Sequence, residues 1–138
     1  MRFWDSSAVI PLLVREPWSD QVRGLIDRDE ELAIWWSTPV ECWSAVSRRR
    51  RDAEITAEAA DLAYQHLELL RSVWHEVLPS DEVRRQARRL LNTHSLRAAD
   101  ALQLAAAIIW SGSYGEGELV TFDSALREAA RLEGFLVI

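Results

Sequence analysis

Five short apolar runs, separated by longer stretches with helical spacing, constrain what this chain can fold into. The strand-like runs fall at residues 1–4, 31–36, 73–78, 119–122 and 135–138. Trp18, Val22, Leu25 and Ile26 repeat at i, i+4, i+7 and i+8, which predicts one face of a helix opening near Pro17. Ile55, Ala59, Leu62, Ala63, His66, Leu67 and Leu70 carry helical spacing through a second stretch, and Val83, Ala87, Leu90 and Leu91 through a third. Further helices are predicted over residues 95–110 and 124–132, the last stopped by Gly134. Strands alternating with helices predict an α/β fold with a mainly parallel sheet covered on both faces. Right-handed crossovers then bring the strand C-termini to one edge, where ligands collect.

A chain of 138 residues can bury one core, and no repeat, linker or low-complexity tract divides it, so residues 1–138 are expected to form a single domain. Only residues 111–117 read as an extended loop. An apolar content of 49% argues against disorder. No segment reaches the roughly 20 apolar residues of a membrane span, and no signal-peptide pattern opens the chain. The single cysteine, Cys42, leaves no intrachain disulfide and no cysteine zinc site. A soluble cytoplasmic protein, without a membrane partner, is the expectation.

Four carboxylates stand where these elements meet. Asp5 follows the first strand run and Asp123 the fourth; Glu41 follows the second, and Asp100 lies near the start of the helix before the fourth. Three of them have a structural alternative. Asp5 and Asp123 each suit a helix N-cap. Thr38-Pro39-Val40-Glu41 fits a capping box with Thr38 at the N-cap. Asp100 differs, because Ala98, Ala99, Ala101, Leu102, Leu104 and the five residues that follow make its helix apolar on nearly every face. A carboxylate there needs a partner. Arg97 and Gln103, at i−3 and i+3, share its face, so either a salt bridge to Arg97 or a polar stripe opening onto a site accounts for it, the stripe being favoured. Converging carboxylates need a cation between them, and an oxygen-only donor set suits Mg²⁺ or Mn²⁺.

The net charge of −6 gives no global attraction for nucleic acid, yet all sixteen basic residues are Arg and several cluster. Arg48, Arg49, Arg50 and Arg51 form one group; Arg84, Arg85, Arg88 and Arg89 form another, on the flanks of their helix. Guanidinium forks suit phosphates, although a solvated helix face explains such runs equally. Of the seven Trp, Trp4 and Trp35 lie in strand runs and are assigned to the core ahead of base stacking. His66 falls on an apolar stripe and is read as packed; His75 falls in a strand and His94 in a loop. None has a partner at metal-ligand spacing.

The chain resembles PIN-domain ribonucleases, most closely the VapC-type toxins of bacterial toxin–antitoxin pairs. The matching segments are Phe3-Trp4-Asp5-Ser6-Ser7-Ala8, Thr38-Pro39-Val40-Glu41, the ten residues from Leu96 to Ala105 around Asp100, and Leu119-Val120-Thr121-Phe122-Asp123. They occur in the family's order and span essentially the whole chain. The resemblance implies a three-layer α/β/α domain around a five-stranded parallel sheet in the order 3-2-1-4-5. It implies Mg²⁺- or Mn²⁺-dependent hydrolysis of RNA phosphodiester bonds by metal-activated water. Asp5 and Asp100 match the principal metal ligands, Glu41 and Asp123 complete the acidic site, and Ser7 and Thr121 match hydroxyl positions beside it. It also implies a cognate antitoxin and a homodimer. A catalytically silent PIN-like module that binds RNA or protein is the alternative. A phosphoacceptor domain is disfavoured, because such a domain places a lysine near the phosphate and this chain has none.

Overall fold

Phe3 and Trp4, adjacent in the first strand, are both buried and enter different cores, as successive β side chains must when a sheet is covered on both sides. The computed structural model describes residues 1–28, 31–112 and 117–138. Its strands are β1 (Arg2–Trp4), β2 (Leu32–Trp35), β3 (His75–Val77), β4 (Glu118–Val120) and β5 (Leu136–Val137). All pair in parallel, in the order β3-β2-β1-β4-β5. The helices are α1 (Ser6–Leu13), α2 (Ser19–Ile26), α3 (Thr38–Arg51), α4 (Ala57–Arg71), α5 (Asp81–Thr93), α6 (Ala98–Ser111) and α7 (Ser124–Leu132). Most of the loop predicted over residues 111–117 lies outside the described residues.

Alternation along the strands divides the core in two. Phe3, Ala33, Trp35 and Leu119 pack with Val83 and Leu90 of α5, Leu104 and Ala105 of α6, and Leu126 of α7. Trp4, Leu32, Ile34 and Val120 pack with Val9 of α1, Val22 of α2, Cys42 and Val46 of α3, and Ala63 and Leu67 of α4. The result is the three-layer α/β/α arrangement with a five-stranded parallel sheet. No helix among the described residues is long and apolar enough to cross a membrane.

Helix boundaries follow from local chemistry. Thr56 and Ser80 cap α4 and α5 by accepting the Ala59 and Val83 N–H groups at 3.1 and 3.2 Å. At the end of α7, Gly134 takes φ 96°, while its N–H reaches Arg131 and that of Phe135 reaches Ala130. This is the Schellman pattern, and it makes Gly134 the predicted stop.

Four sequence expectations change. Thr38 is not an N-cap: Ser37 holds that position, and Thr38 is a wholly buried first-turn residue. In α4 the buried stripe is Ala60, Ala63 and Leu67, whereas Ala59, His66 and Leu62 face solvent. That helix carries apolar residues on two faces, and contact with the α3 side selects between them. Leu91 is exposed, because Leu90 completes the inward stripe of α5. Trp18 precedes α2 rather than lining its buried face, and stacks on Phe122 with ring centroids 5.0 Å apart.

An ion-pair cluster ties α5 to the end of α7. Arg89 donates to both oxygens of Glu133, at 3.0 and 2.6 Å, and the His94 ring lies 2.7 Å from the same carboxylate. The Arg89 hydrogen bond is the main cause holding the Glu133 carboxyl below its usual value of 4.5. A lowered folded value means that its stabilisation is complete above the unfolded value and disappears as pH falls through the folded one. Glu133→Gln is therefore expected to lower the melting temperature at pH 7 and to flatten the loss of stability below about pH 4.5. Melting curves between pH 3 and 7 check this; parallel curves for both proteins would refute it.

Candidate active site

The C-terminal ends of β1 and β4 lie side by side, with Trp4 in register with Val120. Asp5 leaves the first and Thr121, Phe122 and Asp123 leave the second. A hydroxyl-centred chain joins them. Ser7 Oγ donates to Asp5 Oδ1 at 2.7 Å, accepts the Phe122 N–H at 2.8 Å and lies 3.3 Å from Thr121 Oγ1. Thr121 Oγ1 in turn accepts the Asp123 N–H at 3.1 Å. Both supporting hydroxyl residues named from the sequence thus belong to one network around Asp5.

Asp5 is only 3% exposed and occupies the N-cap position of α1 without making a side-chain cap. It is thus the N-cap residue by position, while its carboxyl is held chiefly by the Ser7 hydroxyl. Burial pushes its carboxyl from 3.8 up to about 7; hydrogen bonds from Ser7 and Thr121 oppose that rise, and nearby Glu41 adds to it. Among the described residues, no basic side chain acts on it.

Glu41, in the first turns of α3, is gripped from three elements. Ser6 Oγ donates to Oε2 at 2.7 Å, while Ser37 Oγ and Gln103 Nε2 donate to Oε1 at 3.1 and 3.0 Å. Gln103 is 2% exposed on α6 and also donates to Thr38 Oγ1 at 3.1 Å. The sequence placed Gln103 on the face of Asp100 but did not connect it to Glu41, and it missed Ser6 and Ser37. A glutamine inside an otherwise apolar helix was the available signal.

Asp100 is half-buried in the first turn of α6, not enclosed in its apolar middle. Its Oδ2 accepts the backbone N–H of Arg97, the N-cap residue, at 3.2 Å, so neither a salt bridge nor a deep polar stripe defines its surroundings. Burial raises its carboxyl above the ordinary value, the Arg97 N–H opposes this, and Asp123 raises it further. Asp123 does cap α7, through Oδ1 and the Leu126 N–H at 2.8 Å. Asp100 and Asp123 line one open pocket together with Ser95, Leu96, Arg97 and Ala125. Glu41 thus acts on Asp5, and Asp123 on Asp100.

Among the described residues, no three Asp, Glu, His or Cys side chains gather tightly enough to cage an ion. The donors nevertheless fit a hard divalent cation that keeps much of its water and needs only one or two carboxylates. A buried Asp5 near Glu41, with no basic side chain acting on it among the described residues, is the observation favouring that fit. Cys42 is a poor nucleophile, since burial, then Glu41 and Asp5, drive its thiol pKa upward. In the second Arg cluster, Arg84 pairs with Asp81 and Arg89 with Glu133, while Arg85 and Arg88 are exposed.

The sequence matches the PIN domain over residues 2–132, and the chain belongs to that family. Its fold is similar to FitAcB from Neisseria gonorrhoeae, with a TM-score of 0.73 at 16% identity over 100% of this chain and 96% of that one. It is also similar to VapC20 of Mycobacterium tuberculosis, a sarcin–ricin-loop-cleaving toxin, with a TM-score of 0.71 at 18% identity over 99% and 97%. A toxin–antitoxin complex from Klebsiella pneumoniae gives a TM-score of 0.66 at 16% identity over 90% and 88%. No curated protein matches the sequence.

Proposed function

We propose that this chain is a Mg²⁺- or Mn²⁺-dependent endoribonuclease of the VapC type, the toxin of a toxin–antitoxin pair, acting in the cytoplasm as a homodimer. One observation carries the proposal: a buried carboxylate, Asp5, sits without a cationic partner among the described residues at the C-terminal edge of the central strand, with Glu41 nearby. Membership of the PIN family and the toxins of similar fold support it.

Asp5 and Asp100 would hold the ion, with Glu41 and Asp123 completing the site. When bound, the ion supplies positive charge to the scissile phosphate and makes water a competent nucleophile at neutral pH. Ser7 and Thr121 fix the Asp5 carboxyl, so little reorganisation accompanies catalysis. The Glu41 oxygens already accept three hydrogen bonds, whereas Asp123 uses Oδ1 for its cap. Asp123 Oδ2 is therefore the better-placed oxygen to orient the attacking water and receive its proton. Arg85 and Arg88, exposed on α5, are the members of that cluster left to contact flanking phosphates.

Purified protein is expected to cleave RNA only with Mg²⁺ or Mn²⁺ present, and saturating metal is expected to raise its melting temperature by mass action. Cleavage unaffected by a chelator would overturn the proposal. The silent binding module has one observation in its favour, since Asp100 and Asp123 both serve as helix caps. RNA binding without turnover, at any concentration of either metal, would select it.

A further inference from the structure

Gln103 is a costly residue to place where it is. It lies on a helix whose neighbouring buried positions are Leu104, Ala105, Ala106 and Ala107, and an apolar side chain there would need no hydrogen bonds at all. Its two amide N–H groups go to Glu41 Oε1 and Thr38 Oγ1, at 3.0 and 3.1 Å. That choice fixes the amide orientation, because turning it over would set the carbonyl oxygen against a carboxylate. The consequence is a buried Oε1 with no hydrogen-bond partner among the described residues. A group that sacrifices one polar atom to keep another on a carboxylate is poorly explained by packing.

We infer that Gln103 is a positioning residue that acts through Glu41, aiming its carboxylate for the divalent cation. The inference rests on the proposed metal-dependent nuclease. Three elements meet at this carboxylate: Ser6 begins α1, Ser37 precedes α3, and Gln103 reaches across from α6. The serines are half-buried, whereas Gln103, 2% exposed, approaches from the buried side. Loss of its amide therefore leaves Glu41 Oε1 held, among the described residues, by Ser37 alone. Partners that orient a metal-binding carboxylate typically change metal affinity or turnover by about 10- to 100-fold when removed.

The test uses Gln103→Met, which keeps the length and volume of the side chain and removes the amide, on the full chain. Mn²⁺ affinity is measured by titration calorimetry, metal-free stability by thermal melting, and RNA cleavage by initial rates. Gln103→Met is expected to melt at or above the parent temperature while its Mn²⁺ Kd rises by about 10-fold or more. Its kcat falls similarly, with KM for RNA nearly unchanged. In a Glu41→Gln background the same substitution should cause no further loss, because the effect passes through Glu41. An unchanged Kd and kcat in Gln103→Met would overturn the inference alone. An equal further loss in the Glu41→Gln background would overturn it as well, by showing that Gln103 acts directly. Parent protein that binds Mn²⁺ but cleaves no RNA would overturn the nuclease and leave Kd as the measure of Gln103. Parent protein that binds no Mn²⁺ overturns both.

Discussion

Asp5→Asn is expected to reduce metal-dependent RNA cleavage by roughly three orders of magnitude while leaving the metal-free protein at least as stable as the parent. Metal stabilisation of transition-state charge is worth several kcal/mol, and each 1.36 kcal/mol is a factor of ten in rate. The stability half of the prediction comes from burial. Asp5 is 3% exposed and lies near a second carboxylate, with no basic group among the described residues acting on it. An ionised group so placed opposes folding. Asparagine retains an oxygen to accept the Ser7 hydroxyl hydrogen bond, removes the charge and relieves Glu41. Initial cleavage rates together with melting curves in a chelator check both halves. A variant that cleaves like the parent, or one that melts far below it, would contradict the assignment.

The second large effect is structural. Trp4→Ala should cost about 3–5 kcal/mol, the range for removing a large aromatic from a packed core. Trp4 is 1% exposed on the central strand and belongs to the core on the α1–α4 side of the sheet. Against a typical total of about 5–15 kcal/mol, that loss removes a large share of the folding free energy. Trp36→Ala is the matched control: this residue is half exposed just beyond β2, and its replacement should stay within about 0.5 kcal/mol. Denaturant titration of both variants separates them. Comparable losses would mean that Trp36 carries packing its exposure does not suggest.

Trp4 and Trp35 also mark what sequence could reveal. Both sit in runs whose composition announces a buried strand, and their assignment to the core held. The strands, and the stop at Gly134, were legible because each depends on a few adjacent residues. Faces of helices were less so. In α4 the sequence offers Ala59 and Leu62 on one side and Ala60, Ala63 and Leu67 on another, and only the position of α3 decides which is buried. His66 fell on the wrong side for that reason. The strand order 3-2-1-4-5 came from family resemblance, since short parallel strands carry no pairing code of their own.

The carboxylates show the same division between local and distant information. Asp100 looked enclosed because it is flanked by apolar residues, yet the helix begins only two residues earlier, at Ala98. A first-turn position opens to solvent whatever follows it. Asp5 does stand at the N-cap position of α1, but its carboxyl is held by Ser7 and Thr121, the second of which is 116 residues away. The grip of Gln103 on Glu41 crosses 62 residues. Contacts at that separation leave no periodic trace; they depend on how α6 and α3 approach each other around the sheet.

The sheet ends in very little at either side. β3 has three residues, with His75 and Glu76 exposed, and β5 has two. An incoming strand would find room for only one or two rungs of hydrogen bonding, beside a charged side chain on the β3 edge. Two copies of this chain are thus discouraged from joining their sheets into one continuous ribbon. The proposed homodimer would have to be built from helix surfaces, which leaves the ordering of the central strands, and the carboxylates at their tips, independent of whether a second copy is present.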